Sequence, residues 1–146
     1  MQRTGLSFAL EEEAVDPPFR KTYTFPDLAA ELEDMDQILV AQLGQELVGV
    51  AGVKYESWNR RMVVGHLYVA PQHRGRGIGQ GLIEGAVDYA HKTEARCLWL
   101  ETQNTNYPAI RFYCRAGFTL CGLDESLYDP LGPGRGEVGL FFARDL

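Results

Sequence analysis

The chain has 146 residues, enough for one domain that buries roughly two-thirds of its unfolded surface and stands without disulfide or metal staples. Hydrophobic residues make up 45% and charged residues 23%, a balance too apolar for a disordered chain. With 20 acidic residues against 14 basic ones, the formal net charge of -6 disfavours a nucleic-acid partner and suits cationic ligands such as amines.

Cys97, Cys114 and Cys121 form no C-x-x-C pair and have no His at ligand spacing, so neither a disulfide framework nor a zinc site is expected. A reducing cytoplasm is the expected compartment. The first ten residues fall short of a signal peptide, and no stretch approaches about 18 consecutive apolar residues, so no membrane span is expected.

Leu6, Phe8 and Leu10 alternate with small residues and predict a strand over 6–10, followed by the acidic run of Glu11, Glu12 and Glu13 and a loop over 15–25. Pro26 and Asp27 open a short helix reaching about Met35. Apolar runs over 38–43 and 47–55 flank Gly44-Gln45 as a β-hairpin, and a third strand is predicted over 62–69. Ile78, Leu82, Ile83, Ala86, Val87 and Ala90 then recur at helical spacing, predicting a helix over 77–92. A strand over 97–100 precedes a helix over 109–116, with Pro108 in its first turn and Gly117 ending it in the left-handed conformation. Strands over 118–121 and 138–143 follow, separated by a loop rich in Gly and Pro. The order predicts one α/β (α+β) domain over 1–146, a mixed, mostly antiparallel sheet of six to seven strands with helices on both faces.

Arg74-Gly75-Arg76-Gly77-Ile78-Gly79-Gln80 lies between a predicted strand and a predicted helix. Glycines there let backbone approach a pyrophosphate, and the helix's unpaired first-turn N–H groups and dipole face it. From spelling alone, a plain strand-to-helix turn is as good a reading. No Lys-Ser or Lys-Thr completes a P-loop, and the run does not continue as a dinucleotide fingerprint.

The wider pattern Leu67-Tyr68-Val69-x-Pro71-x-x-Arg74-Gly75-Arg76-Gly77-Ile78-Gly79 resembles the acetyl-CoA motif of the GNAT acetyltransferase superfamily. A second block, Asn106-x-x-Ala109-x-x-x-Tyr113-x-x-x-Gly117-Phe118, follows at the matching distance. Ser57-Trp58-Asn59-Arg60, Leu100-Glu101-Thr102-Gln103 and Leu123-Asp124-Glu125-Ser126-Leu127-Tyr128 are similar, more narrowly, to the streptothricin acetyltransferases, which acetylate an amine of a cationic antibiotic. Gly65-His66 stands where those enzymes usually carry Glu-Asp.

The resemblance implies a cytoplasmic N-acetyltransferase with acetyl-CoA as co-substrate and no metal. It implies that the pantetheine arm enters a gap between the strand over 62–69 and the strand beginning at Cys97, held by Leu67, Tyr68 and Val69, with the loop from Arg74 to Gln80, Asn106, Ala109 and Tyr113 completing the co-substrate site. Tyr113 matches the tyrosine that protonates the leaving thiolate, although periodicity alone favours a helix tyrosine covering the core. Asn106 reads otherwise as an ordinary helix cap. Glu101 is a candidate general base or equally a strand-orienting carboxylate, and His66 is the minority candidate. His66, Asp124 and Tyr128 are candidate acceptor-binding residues, and Glu125 reads as a solvated charge. Cys114 adjoins Tyr113 but has no evident His base for an acyl-cysteine route. The acceptor is expected to be the primary amine of a small cationic molecule, with a peptide or protein amine, a polyamine, or a non-catalytic acyl-CoA sensor as alternatives. A homodimer through the strand over 138–143, taken as an apolar edge, is compatible with these readings.

Overall fold

The computed structural model describes residues 10–14 and 27–146. The expected strand over 6–10, Leu10 apart, and the loop over 15–25 lie outside the described residues. The described elements are α1 (Leu28–Glu33), β1 (Gln37–Leu43), β2 (Glu46–Glu56), β3 (Arg61–Val69), α2 (Ile78–Ala90), β4 (Cys97–Gln103), α3 (Tyr107–Arg115), β5 (Thr119–Asp124) and β6 (Gly139–Asp145). They build a six-stranded sheet in the order β1-β2-β3-β4-β6-β5, in which β3 and β4 are parallel and every other neighbouring pair is antiparallel.

Alternation along the strands sends Val53, Met62, Val64, Leu98, Leu100, Leu140 and Phe142 to one face. There they bury against Ile83, Ala86 and Ala90 of α2 and against Ala116 and Phe118 at the end of α3. Each large side chain so buried contributes roughly 1.5–3 kcal/mol. The other face meets α1: a Cβ on Gly52 would lie 3.0 Å from Leu32 Cδ2 and 2.8 Å from Met35 Cγ. Helices therefore cover both faces, as expected.

Several bounds differ from expectation. β4 runs to Gln103 because it pairs with β6 along its whole length, from Cys97↔Asp145 to Gln103↔Gly139. α3 starts at Tyr107, since Asn106 caps it and Pro108 sits in its first turn. Phe118 is buried ahead of β5 rather than within it, and β5 extends to Asp124. The strand over 138–143 is not an edge: β6 lies between β4 and β5, so its backbone is paired on both sides. The edges among the described residues are β1 and β5, and the reason given for self-association through the C-terminal strand is removed. No helix of the described residues is long and apolar enough to cross a membrane.

Candidate active site

The parallel ladder between β3 and β4 covers three residue pairs, Arg61↔Cys97, Met62↔Leu98 and Val63↔Trp99, and then ends. The break coincides with a β-bulge. On β2, Gly52 faces His66 and Val53 faces Val64, so Gly65 has no partner and β3 bends away from β4. Beyond this point β3 pairs with β2 and β4 with β6, which leaves a wedge between two facing backbone edges. An extended ligand arm can enter such an opening as an added strand.

β3 ends at Val69 at the mouth of this wedge, followed by a 3-10 turn over Pro71–His73 and the glycine loop. Gly75 and Gly77 have φ of 75° and 81°, a region that L side chains rarely enter. Gly77 is the N-cap of α2 and brings no side chain to the helix's first N–H groups, which are left for an anion. A Cβ at either glycine would meet nothing within 4 Å, so the loop is open where a phosphate would approach. Gly79 serves packing instead: its Cβ would lie 3.1 Å from Phe112 of α3. Arg74 donates from Nε to the Val69 carbonyl at 3.0 Å and sits 5.9 Å from the Tyr68 ring. Arg76 donates to His73 at 2.9 Å, and Gln80 to Glu84 at 2.6 Å. Leu67 packs on the core while Tyr68 is exposed.

Asn106 caps α3, its side chain accepting from Ala109 N at 3.4 Å. One helical stretch later Tyr113 lies against Phe112, Phe118 and Phe142, with ring centroids 5.4, 5.8 and 6.3 Å away. Phe142 is the register partner of Leu100, the first β4 residue past the end of β3 pairing. Tyr113 therefore stands beside the start of the wedge, on the core face.

Glu101 follows Leu100 and so projects from the opposite face, where it is exposed and accepts a hydrogen bond from the Tyr128 hydroxyl. Burial first, then the bond to Glu101, pushes the Tyr128 phenol above its usual range, and the charge of Glu137 adds to this. Glu137 is 4% exposed and accepts from the Thr105 hydroxyl. Sequence reasoning missed Glu137, a lone carboxylate in a glycine-rich loop with no periodicity to mark it. His66 shares the Glu101 face, with Nδ1 3.5 Å from Glu31 of α1. Beside it Gly65 is packed under Met35, whose Sδ would lie 3.1 Å from a Cβ there. Asp124 is engaged in a turn: Oδ1 accepts from Ser126 N and Oγ, both at 2.7 Å, which hold its carboxyl below the usual range. Cys97 is buried, Cys114 and Cys121 are exposed, and all three are free thiols. Among the described residues no three of His, Cys, Asp and Glu are grouped as metal ligands.

Residues 7–118 match the acetyltransferase (GNAT) family. The chain belongs to the GNAT family. It is 42% identical over 149 residues to streptothricin acetyltransferase of Streptomyces lavendulae, an alignment covering 96% of this chain and 77% of that protein. Streptothricin acetyltransferase of Escherichia coli is 35% identical over 135 residues, covering 92% of this chain and 75% of that one. The crystal structure of nourseothricin acetyltransferase superposes with a TM-score of 0.80 at 42% identity, over 94% of this chain and 76% of that one. A Bacillus anthracis str. Ames protein provisionally assigned as a streptothricin acetyltransferase, solved with acetyl coenzyme A, gives 0.72 at 28% identity, over 78% and 67% of the two chains.

This GNAT chain is accordingly an acetyl-CoA-dependent N-acetyltransferase with acetyl-CoA as co-substrate. Its open, uncapped glycine loop and its splayed strands fit the two ends of that molecule, an anionic pyrophosphate and an extended amide-bearing arm.

Proposed function

We propose that this GNAT enzyme acetylates a primary amine of a small cationic molecule of the streptothricin type by direct transfer in a ternary complex. The observation that carries the reading is the placement of Glu101, hydrogen-bonded by the Tyr128 hydroxyl, on the sheet face opposite Tyr113, with the charge of Glu137 acting on the Tyr128 phenol. An ammonium drawn to Glu101 would meet the wedge from one side while the co-substrate enters along the strand edges. The relatives that span most of the chain are named for the same chemistry.

Acetyl-CoA supplies a thioester whose carbonyl carbon forms the new C–N bond as its C–S bond breaks. The glycine loop with Arg74, Arg76 and Gln80 would hold its phosphates, and Leu67, Tyr68, Val69, Asn106 and Ala109 its arm. A backbone N–H of the β3 edge would polarise the carbonyl. Glu101, oriented by Tyr128, accepts the proton that the ammonium must lose before it attacks. Tyr113 gives its hydroxyl proton to the departing thiolate and is restored from the amine side through solvent. His66, paired with Glu31, lines the acceptor side with Tyr128, while Asp124 shapes the turn that precedes Tyr128. Three free thiols suit a reducing cytoplasm.

The test is thiol release from acetyl-CoA by the purified protein, across streptothricin, aminoglycosides, polyamines, amino acids and short peptides. Release is expected with streptothricin. Release confined to peptides or polyamines would reassign the acceptor, and acetyl-CoA binding without release on any amine would make the chain an acyl-CoA sensor.

A further inference from the structure

Arg76 lies between the two loop glycines held at positive φ, Gly75 at 75° and Gly77 at 81°. Its guanidinium is anchored: Nη1 lies 2.9 Å from His73 Nδ1. The other ring nitrogen of His73, Nε2, lies 3.3 Å from Oε1 of Glu46, the first residue of β2. A guanidinium can only donate, so Nδ1 must be the accepting nitrogen, and the ring proton then resides on Nε2, aimed at the Glu46 carboxylate. The His73 side chain is only 14% exposed, and its backbone is fixed by His73 N donating to the Ala70 carbonyl at 2.9 Å. The three side chains thus form a directional chain from a rigid strand to the middle of the phosphate loop.

The loop needs such a tether. Glycine populates either sign of φ with similar ease, so Gly75 and Gly77 leave the peptide planes around Arg76 unselected by local sterics. Nothing lies within 4 Å of either missing Cβ, so packing does not select them either. Arg74 ties the start of the loop to the Val69 carbonyl, and the Gly77 carbonyl accepts from Gly81 N at 3.0 Å; for the peptides between the two glycines the handle is the Arg76 side chain, and His73 holds it.

We propose that His73 is a positioning residue for acetyl-CoA: by accepting from Arg76 it fixes the peptide planes between Gly75 and Gly77 so that the loop N–H groups face the pyrophosphate. The proposal rests on the acetyl-CoA assignment of the loop and is independent of which amine is acetylated. Glu46 contributes less, because its carboxylate is 57% exposed and its bond competes with water.

Two substitutions separate the ring's nitrogens. His73→Asn keeps an sp2 oxygen near the place of Nδ1 and can still accept from Arg76. His73→Gln keeps a donor near Nε2 for Glu46 and loses that acceptor. Calorimetric titration of the full chain with CoA is expected to show affinity falling about five- to tenfold in His73→Ala and His73→Gln, the loss of one charge-assisted hydrogen bond. His73→Asn should stay within about twofold of the parent. The same factor is expected for 3′-dephospho-CoA, which keeps the pyrophosphate. Amide exchange over residues 75–79 should quicken in the Ala and Gln variants and recover in Asn. At saturating acetyl-CoA kcat should be unchanged, the loss appearing in KM. Unaltered CoA affinity in folded His73→Ala, an Asn variant as weak as Ala, or a loss absent with 3′-dephospho-CoA would each overturn the proposal. Should His73→Ala fail to fold, the Asn and Gln contrast carries the test. A parent chain that binds no CoA would overturn both this proposal and the loop assignment, whereas failure of every tested amine would leave this one standing.

Discussion

Tyr113 and Glu101 stand on opposite faces of the same wedge, one against the aromatic core and the other exposed and hydrogen-bonded by Tyr128. The difference sets what each substitution should do. Tyr113→Phe keeps the ring contacts to Phe112, Phe118 and Phe142 and removes only the hydroxyl, so the fold and CoA binding should be retained. Removal of a general acid is expected to lower kcat on the order of 10²-fold. Thiol-release kinetics set beside CoA titration check this, and an equal loss of rate and affinity would sink the acid role. Gly77 presents the opposite case. Its 81° φ is forbidding for an L residue although the space around it is open, so Gly77→Val would pull the loop toward ordinary φ at a backbone cost of about 1–2 kcal/mol. CoA affinity is expected to fall at least about tenfold, each tenfold being about 1.4 kcal/mol. A folded Gly77→Val variant with parental affinity would remove the loop from the co-substrate site.

At the scale of elements, the arrangement around α2 depends on Arg144 of β6, which pairs with Glu84 of α2 at 2.8 Å and donates to the Ala116 carbonyl at the end of α3 at 3.0 Å. The hydrogen bond from Arg144 is the largest cause holding the Glu84 carboxyl below its usual range. A depressed folded pKa contributes stability that is present above the unfolded value, about 4.3, and is lost as pH falls through the folded one. Glu84→Gln should therefore flatten the loss of stability on acidification below that pH, by less than about 1 kcal/mol because the Glu84 side chain is 47% exposed. Denaturant midpoints at pH 7 and pH 3.5 measure it, and an unchanged pH difference would deny the pair its role. Which features could be read from sequence follows from how locally each is encoded. The glycine loop and both α2 and α3 are written in contiguous residues, and they came out within two residues of expectation. β4 outruns the expected strand because Glu101 and Gln103 interrupt the apolar run while buried Thr102 continues the alternation. The bulge at Gly65 and the inward position of β6 depend on which distant strand becomes the neighbour, and hydrophobic periodicity reports burial without naming the partner. Glu137 acquires its partners only through the fold, since its bond from Thr105 joins the loop before β6 to the turn after β4 and its charge acts on Tyr128 in that same loop.

On the scale of the whole molecule, the sheet consists of two antiparallel halves, β1-β2-β3 and β4-β6-β5, joined by three parallel residue pairs and by α2 packing across the junction. The wedge opens along that junction. A ligand arm bonded to both strand edges would extend the missing ladder and tie the halves together, whereas a ligand held by the glycine loop alone would engage β3, α2 and little else. The two cases separate in thermal unfolding. A ligand at about 100 times its Kd adds about 2.7 kcal/mol, which for a domain of this size is a rise in Tm of roughly 5–10 °C. CoA is expected to produce that rise, and ADP at the same concentration, carrying the pyrophosphate without the arm, a much smaller one. A net charge of -6 opposes both anions, so raising salt should not weaken the CoA response as steeply as a binding mode made only of surface arginines would require. Equal shifts with CoA and ADP would mean that the splayed strands take no part in holding the co-substrate, and the arm would have to be placed elsewhere on the molecule.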